Sequence, residues 1–259
     1  DLLRDAVDYV INFQSMECCD SLGIRRHCHG FLHVVATFLL SFLAGYADVI
    51  TYSRYGSFAA SMTGNTIFAG RVLAQGLWHD VFFYICIMLC WTGGSCMYHE
   101  VEKLCPRRGG TWAALVVALI STVIDVGYNL SAHKHRWWIL GLVPIFGVAE
   151  AFAIGHLHVA TTGVAKQLFG LSRFRDVLVQ GNTAGRREFF FSLVMIVGMM
   201  TGAVVGERLV VIFGLEVPWC FMPVAPVVAA AVYVHERLHW REYQPGNECV
   251  DVSEDSEES

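Results

Sequence analysis

Charge is what this 259-residue chain has least of: Asp, Glu, Lys and Arg make up 16% of it, against 55% for the apolar set Ala, Val, Ile, Leu, Met, Phe, Trp, Tyr and Cys. A soluble domain carries about 25% charged residues because its surface must be wetted. With a mean hydropathy of +0.48, most of this chain's surface is turned away from water. A basic footprint is also missing. The net charge of −5 and pI near 6.1 exclude a nucleic-acid binder, and the composition excludes a disordered chain or a collagen-like repeat. A polytopic, all-α membrane protein remains, with the lipid bilayer as its first partner.

The nine cysteines supply no disulfide framework, because Cys86, Cys90, Cys96 and Cys220 lie in or beside apolar runs. Cys18, Cys19 and Cys28 stand near His27, His29 and His33, but the spacing matches no zinc pattern. His133 and His135, like His156 and His158, are two apart and point to different helix faces, which reads as interfacial. Gly93-Gly94-Ser95-Cys96 comes nearest to the serine motif of an intramembrane protease, yet it lacks the following glycine and has no evident histidine partner on a later span. No metal, cofactor or catalytic set is expected, and the chain reads as a non-enzyme.

A bilayer span needs about 20 mostly apolar residues. Six runs qualify: 31–51, 81–98, 111–130, 137–160, 189–213 and 218–235. Asp48 and Glu150 lie inside such runs, while Asp125 and Glu207 fall nearer to run ends, where water is within reach. Trp78, Trp112, Trp137, Trp138 and Trp219 sit at run edges, as interfacial indoles do. Of the 18 Lys and Arg, 13 fall in the N-terminal segment, the second and fourth loops and the tail, so both termini are expected in the cytoplasm.

Residues 1–30 carry no visible signal peptide, and Leu3, Val7, Val10 and Ile11 have the spacing of a short helix resting on the membrane. Residues 241–259 end in an acidic run expected to be disordered. Between them lie two similar halves, 31–136 and 137–240.

Gly45-Tyr46-Ala47-Asp48 answers to Gly147-Val148-Ala149-Glu150 at an offset of 102 residues, Ser61-Met62-Thr63-Gly64 to Ala160-Thr161-Thr162-Gly163 at 99, and Thr92-Gly93 to Thr201-Gly202 at 109. Three spans per half is an odd number, so the two copies enter the membrane from opposite sides. The expected architecture is therefore six transmembrane helices as two inverted three-helix repeats. Gly198, Gly202 and Gly206, and Gly147, Ala151 and Gly155, recur every four residues and predict tight packing seams.

Leu43-Ala44-Gly45-Tyr46-Ala47-Asp48, followed by Ser61-Met62-Thr63-Gly64-Asn65-Thr66, resembles the YoaK family of small multi-pass membrane proteins. The resemblance covers residues 31–237 and implies a membrane bundle without an assigned biochemical function. In the second half the family's Gln and Asn give way to Ala149 and Glu150, and Val164 stands where a polar residue often follows Thr-Gly. A shared selectivity does not follow from the resemblance.

An acid at mid-membrane costs about 2.5–3.5 kcal/mol on insertion scales, so Asp48 and Glu150 need a reason to be there. One is proton or Na+ coupling; the other is a neutral acid bonded to a neighbouring helix. Gly64 and Gly163 can break a helix, and Thr63, Asn65, Thr66 and Thr162 would add polar groups beside a half-helix N-terminus suited to an anionic group. The alternative there is a capped turn at the membrane surface. The leading expectation is a secondary transporter of an unidentified small solute, with Asp48, Thr63, Gly64, Asn65, Thr66, Glu150, Thr162 and Gly163 as its substrate or ion site. A non-transporting scaffold or assembly factor is the rival, and self-association into a homo-oligomer is compatible with either.

Overall fold

The computed structural model describes residues 23–105, 108–131, 134–157, 183–214 and 224–242. Every regular element among these is helical: α1 (Gly23–Tyr55), α2 (Met62–Ala74), α3 (Trp78–Leu104), α4 (Gly109–Leu130), α5 (Pro144–Phe152), α6 (Thr183–Phe213) and α7 (Val224–Glu242). A 3-10 stretch, Arg136–Gly141, leads into α5, and a π-helical turn, Ala153–Leu157, leaves it. The segment with Leu3, Val7, Val10 and Ile11, Cys18 and Cys19, His133, His158, Thr162 and Gly163, Trp219 and the acidic tail lie outside the described residues.

Five stretches are long and apolar enough to cross a membrane: His33–Tyr55, Trp78–Leu104, Gly109–Leu130, Arg136–Leu157 and Phe189–Phe213. The sixth expected span, over 218–235, is a helix only from Val224 within the described residues. That helix runs on through His235 to Glu242. Leu119, Val123, Val204, Val211 and Ile212 stand largely exposed on the outer faces, which suits lipid better than water.

Close helix approach follows from the glycine seams. On α6, Gly198, Gly202 and Gly206 lie against the carbonyls of Phe38, Phe42 and Tyr46 in ascending order, so α1 and α6 run parallel. Gly45 on α1 faces the Met199 carbonyl in return. At each of these glycines an added Cβ would collide with backbone that cannot rotate away. The second crossing joins α3 and α5: Gly147 meets the Trp91 carbonyl and Gly94 the Pro144 carbonyl. Ser95 Oγ donates to the Gly147 carbonyl at 2.9 Å, a side-chain bond across this crossing.

Between α1 and α3 lies the 13-residue helix α2, too short to span a bilayer. It forms an antiparallel hairpin with α3 through the turn at Gly76 (φ 73°). Thr66 Oγ1 reaches Met88 Sδ at 3.3 Å, and Phe68 stacks near Tyr84. Met88 is ten residues into the 27-residue α3, so Met62, one turn earlier on α2, begins about halfway along a helix roughly 40 Å long. From the end of α1 at Tyr55, residues 56–61 turn back into the bundle and α2 climbs out again.

Candidate functional site

The descent of residues 56–61 leaves backbone groups that no helix satisfies, and inside a membrane each needs a partner. Three side chains provide them. Asp48, seven residues before the end of α1, accepts from Ala60 N–H (2.7 Å) and Ser61 N–H (3.3 Å) on Oδ1, while Ser61 Oγ–H donates to Oδ2. Thr51, one turn further along α1, accepts from Ala59 N–H at 3.2 Å. Asn65 clamps Phe58 from the other side: Oδ1 accepts its N–H (3.0 Å) and Nδ2 donates to its carbonyl (2.7 Å). Tyr84 of α3 adds a bond from its hydroxyl to the Gly56 carbonyl at 3.0 Å.

Asp48 therefore sits at the start of α2, where the first N–H groups of a helix end in a partial positive charge. The loop N–H and O–H groups and the helix end all turn partial positive charge toward this side chain. It is also closed in, since the side chain is buried and its bonds go to the loop that it holds.

The eight residues expected to form the site separate in space. Asp48 and Asn65 grip the same loop from opposite sides. Thr63 and Thr66 face outward on α2, and Thr66 Oγ1 bonds its own helix at Met62 O (3.0 Å). Gly64 lies in the first turn of α2 with the Phe58 ring where a side chain would be, so the break precedes it and its role is close packing. Glu150 is buried on α5, just ahead of the π-helical turn. Thr162 and Gly163 are outside the described residues.

A second polar centre was not expected. Asp125, read as near enough to a run end to reach water, is fully buried and paired with Arg54 across α1 and α4 at 3.4 Å. Both side chains are 1% exposed. Asn129 Nδ2 also approaches Asp125 Oδ1, Arg54 lies 5.8 Å from the Tyr128 ring, and Tyr55 packs edge-on against Tyr128. Tyr55 Oη, Ser57 Oγ, Asp125 Oδ2 and Asn129 Oδ1 are buried with no hydrogen-bond partner among the described residues. Such a group of orphaned atoms is where water or a polar ligand would be held. The signal was available: α1 and α4 both carry one ionisable residue near the C-terminal end, and as first and third spans they end on the same side.

At the opposite end, His235 is buried against His33 (ring centroids 5.1 Å), Phe152 (5.1 Å) and His156 (6.1 Å). His156 Nε2 stands 3.3 Å from Glu102 Oε1.

No curated protein and no solved structure matches the chain. The family model described as "Protein of unknown function (DUF1275)" matches residues 36–234, from the early part of α1 to the later part of α7, and takes in Asp48, the loop, α2, Asp125 and Glu150. The chain thus belongs to this family, and its apolar helices make it a multi-pass membrane protein.

Proposed function

We propose that this chain is a secondary transporter of a small anionic solute, built from two inverted three-span repeats like those expected of a YoaK-type protein. The observation that carries the reading is the half-helix α2, which starts near mid-span with the chain's own Asp48 carboxylate at its N-terminus. Helix ends of this kind hold anionic groups of substrates in transporters. Here Asp48 takes that place, so an anionic solute would compete with it for the loop amides. Protonating Asp48 removes the charge that the helix end attracts and frees the loop, which links solute binding to a proton. Arg54, farther along α1, and its partner Asp125 of α4 would close the outer side. No residue is assigned a catalytic role.

The paired crossings support the repeat. Moving Gly45 and Phe42 forward by 102 residues gives Gly147 and Pro144, and moving Met199 and Gly202 back by 108 gives Trp91 and Gly94. The contacts Gly45 to Met199 and Gly202 to Phe42 become Gly147 to Trp91 and Gly94 to Pro144, with the same glycines against the same carbonyls. This register favours Gly94 over Gly93 as the counterpart of Gly202, and Gly93 meets nothing within 4 Å. Asp48 and Glu150 correspond under the same offset.

The scaffold reading has one observation in its favour, the closed bonding of Asp48. Proton flux decides between them. Proteoliposomes holding the full chain and an internal pH dye are challenged with a panel of small organic anions. Solute-dependent proton movement in the wild type, lost in Asp48→Asn or Glu150→Gln protein that still folds, is the expected outcome. No flux with any solute, together with a stably co-purifying partner, would establish the scaffold instead.

A further inference from the structure

We propose that the groove between the first turns of α4 and the last turns of α7 binds an anionic phospholipid, its phosphate held by Arg108 and Arg237. A cavity of about 530 Å³ opens there, lined by Arg108, Trp112, Leu115, Tyr233, Glu236 and Arg237. Arg108, Trp112, Leu115 and Leu119 follow one face of α4 at helical spacing and are all exposed. Pro226, Ala230, Tyr233 and Arg237 repeat that spacing on the exposed face of α7. Thr111 of α4 bonds Glu236 of α7, which brings the two arginine ends together.

Along this groove the chemistry changes in the order of a lipid: guanidinium groups, then an indole and a phenol, then leucines beside the small side chains of Pro226 and Ala230. A soluble anion needs only the first of these; an acyl chain uses the last. Two guanidinium groups face one carboxylate here, so the site stays net positive, and Glu236 is turned toward Thr111. Its Oε2 accepts from Thr111 N–H (3.0 Å) and from the Thr111 hydroxyl, and Gly110 has no Cβ to obstruct it. Arg237 bonds only the Tyr233 hydroxyl, and Arg108 has no ion pair among the described residues. Guanidinium forks suit phosphate oxygens. With Lys103, Arg107 and Arg241 close by in sequence, the positive-inside rule sets this end at the cytoplasmic leaflet, where anionic lipids concentrate.

The test is native mass spectrometry of the full chain released from micelles doped equally with phosphatidylglycerol and phosphatidylcholine. Wild type should retain phosphatidylglycerol in preference by about tenfold, and Arg108→Gln/Arg237→Gln protein should lose most of that preference. Melting with each lipid, and with inorganic phosphate at matched concentration, accompanies it. A stabilising shift with phosphatidylglycerol alone supports the site. Equal retention of both lipids by the wild type overturns it, and that result needs no variant to fold. An unchanged preference in the double variant also overturns it. So does an equal shift with inorganic phosphate, which would leave a free-anion site, or a preference that arises only once residues 243–259 are removed, which would assign the groove to the acidic tail.

Discussion

The crossing of α1 with α6 and that of α3 with α5 reach the same backbone proximity by different means. In the first, two long unbroken helices meet along Gly198, Gly202 and Gly206, and Gly45 completes the seam. In the second, α5 is nine residues of regular helix between a 3-10 stretch and a π-helical turn, and a side-chain bond from Ser95 supplements its glycines. Tight and wide helical turns within a span are frequent at functional hinges. Asp48 is thus fixed on a continuous helix and bonded to its loop, whereas Glu150 is carried by the segment that can change its winding. The two acids at matching positions of the halves therefore stand in different helical settings, one in regular α-helix and one a turn ahead of a π-helical stretch.

The comparison breaks most severely at the glycines. Gly202→Val and Gly147→Val each place side-chain atoms where a carbonyl already lies, and the crossing helices would have to part along their length. Both variants should fail to accumulate as folded protein, whereas Gly93→Ala and Gly70→Ala, with nothing within 4 Å, should melt at or above the wild-type temperature because alanine favours helix. Detergent-solubilised yield and size-exclusion profiles report this. A folded Gly147→Val with an unfolded Gly202→Val would show that the segmented crossing yields where the continuous one cannot.

Next in size is the buried pair outside the crossings. Asp125→Asn leaves the buried Arg54 charge without its carboxylate and should cost about 3–5 kcal/mol, whereas Arg54→Met/Asp125→Leu removes both charges and should cost much less. Thermal unfolding of the two proteins in one detergent ranks them. A double variant worse than the single one would mean that the pair does more than neutralise itself.

These regions differ in how openly the sequence declared them. Apolar runs and glycine spacing announced the spans and seams, since both are patterns along one helix and reach significance over many residues. The interiors of five spans emerged that way, and of the sixth expected run the described residues hold the part from Val224 onward, which is helical. Asp48 stood out as an acid in an apolar run. Its partners did not, because Ser61 and Thr51 are ordinary residues whose role depends on the chain turning back at Gly56. Thr63 and Thr66 were attractive by type, but which side of α2 faces the bundle is set by its packing on α3. Arg54 and Asp125, 71 residues apart in sequence, declare nothing singly. Their meaning is the parallel course of two spans.

The smallest effect sharpens the contrast from the side of Asp48, the acid bonded to its loop. Ser61→Ala removes the hydroxyl that donates to Asp48 Oδ2 and leaves the Ala60 and Ser61 amides on Oδ1. Loss of one hydrogen bond to a charged group out of three should cost about 1.5–3 kcal/mol if nothing replaces it, and nearer 1 kcal/mol if water enters. The helix N-terminus still favours the carboxylate, so the protein should remain folded and melt a few degrees lower. The local consequence is more telling than the global one. The amides of residues 58–61 are held by side chains and not by a helical ladder, so amide exchange at Ala60 and Ser61 should speed up in Ser61→Ala while exchange in α1 and α6 stays unchanged. Faster exchange spreading into α6 would mean that Asp48 stabilises the whole crossing through its loop. No change at Ala60 would mean that its bond to Asp48 is formed independently of Ser61, and that the carboxylate is fixed by the start of α2 alone.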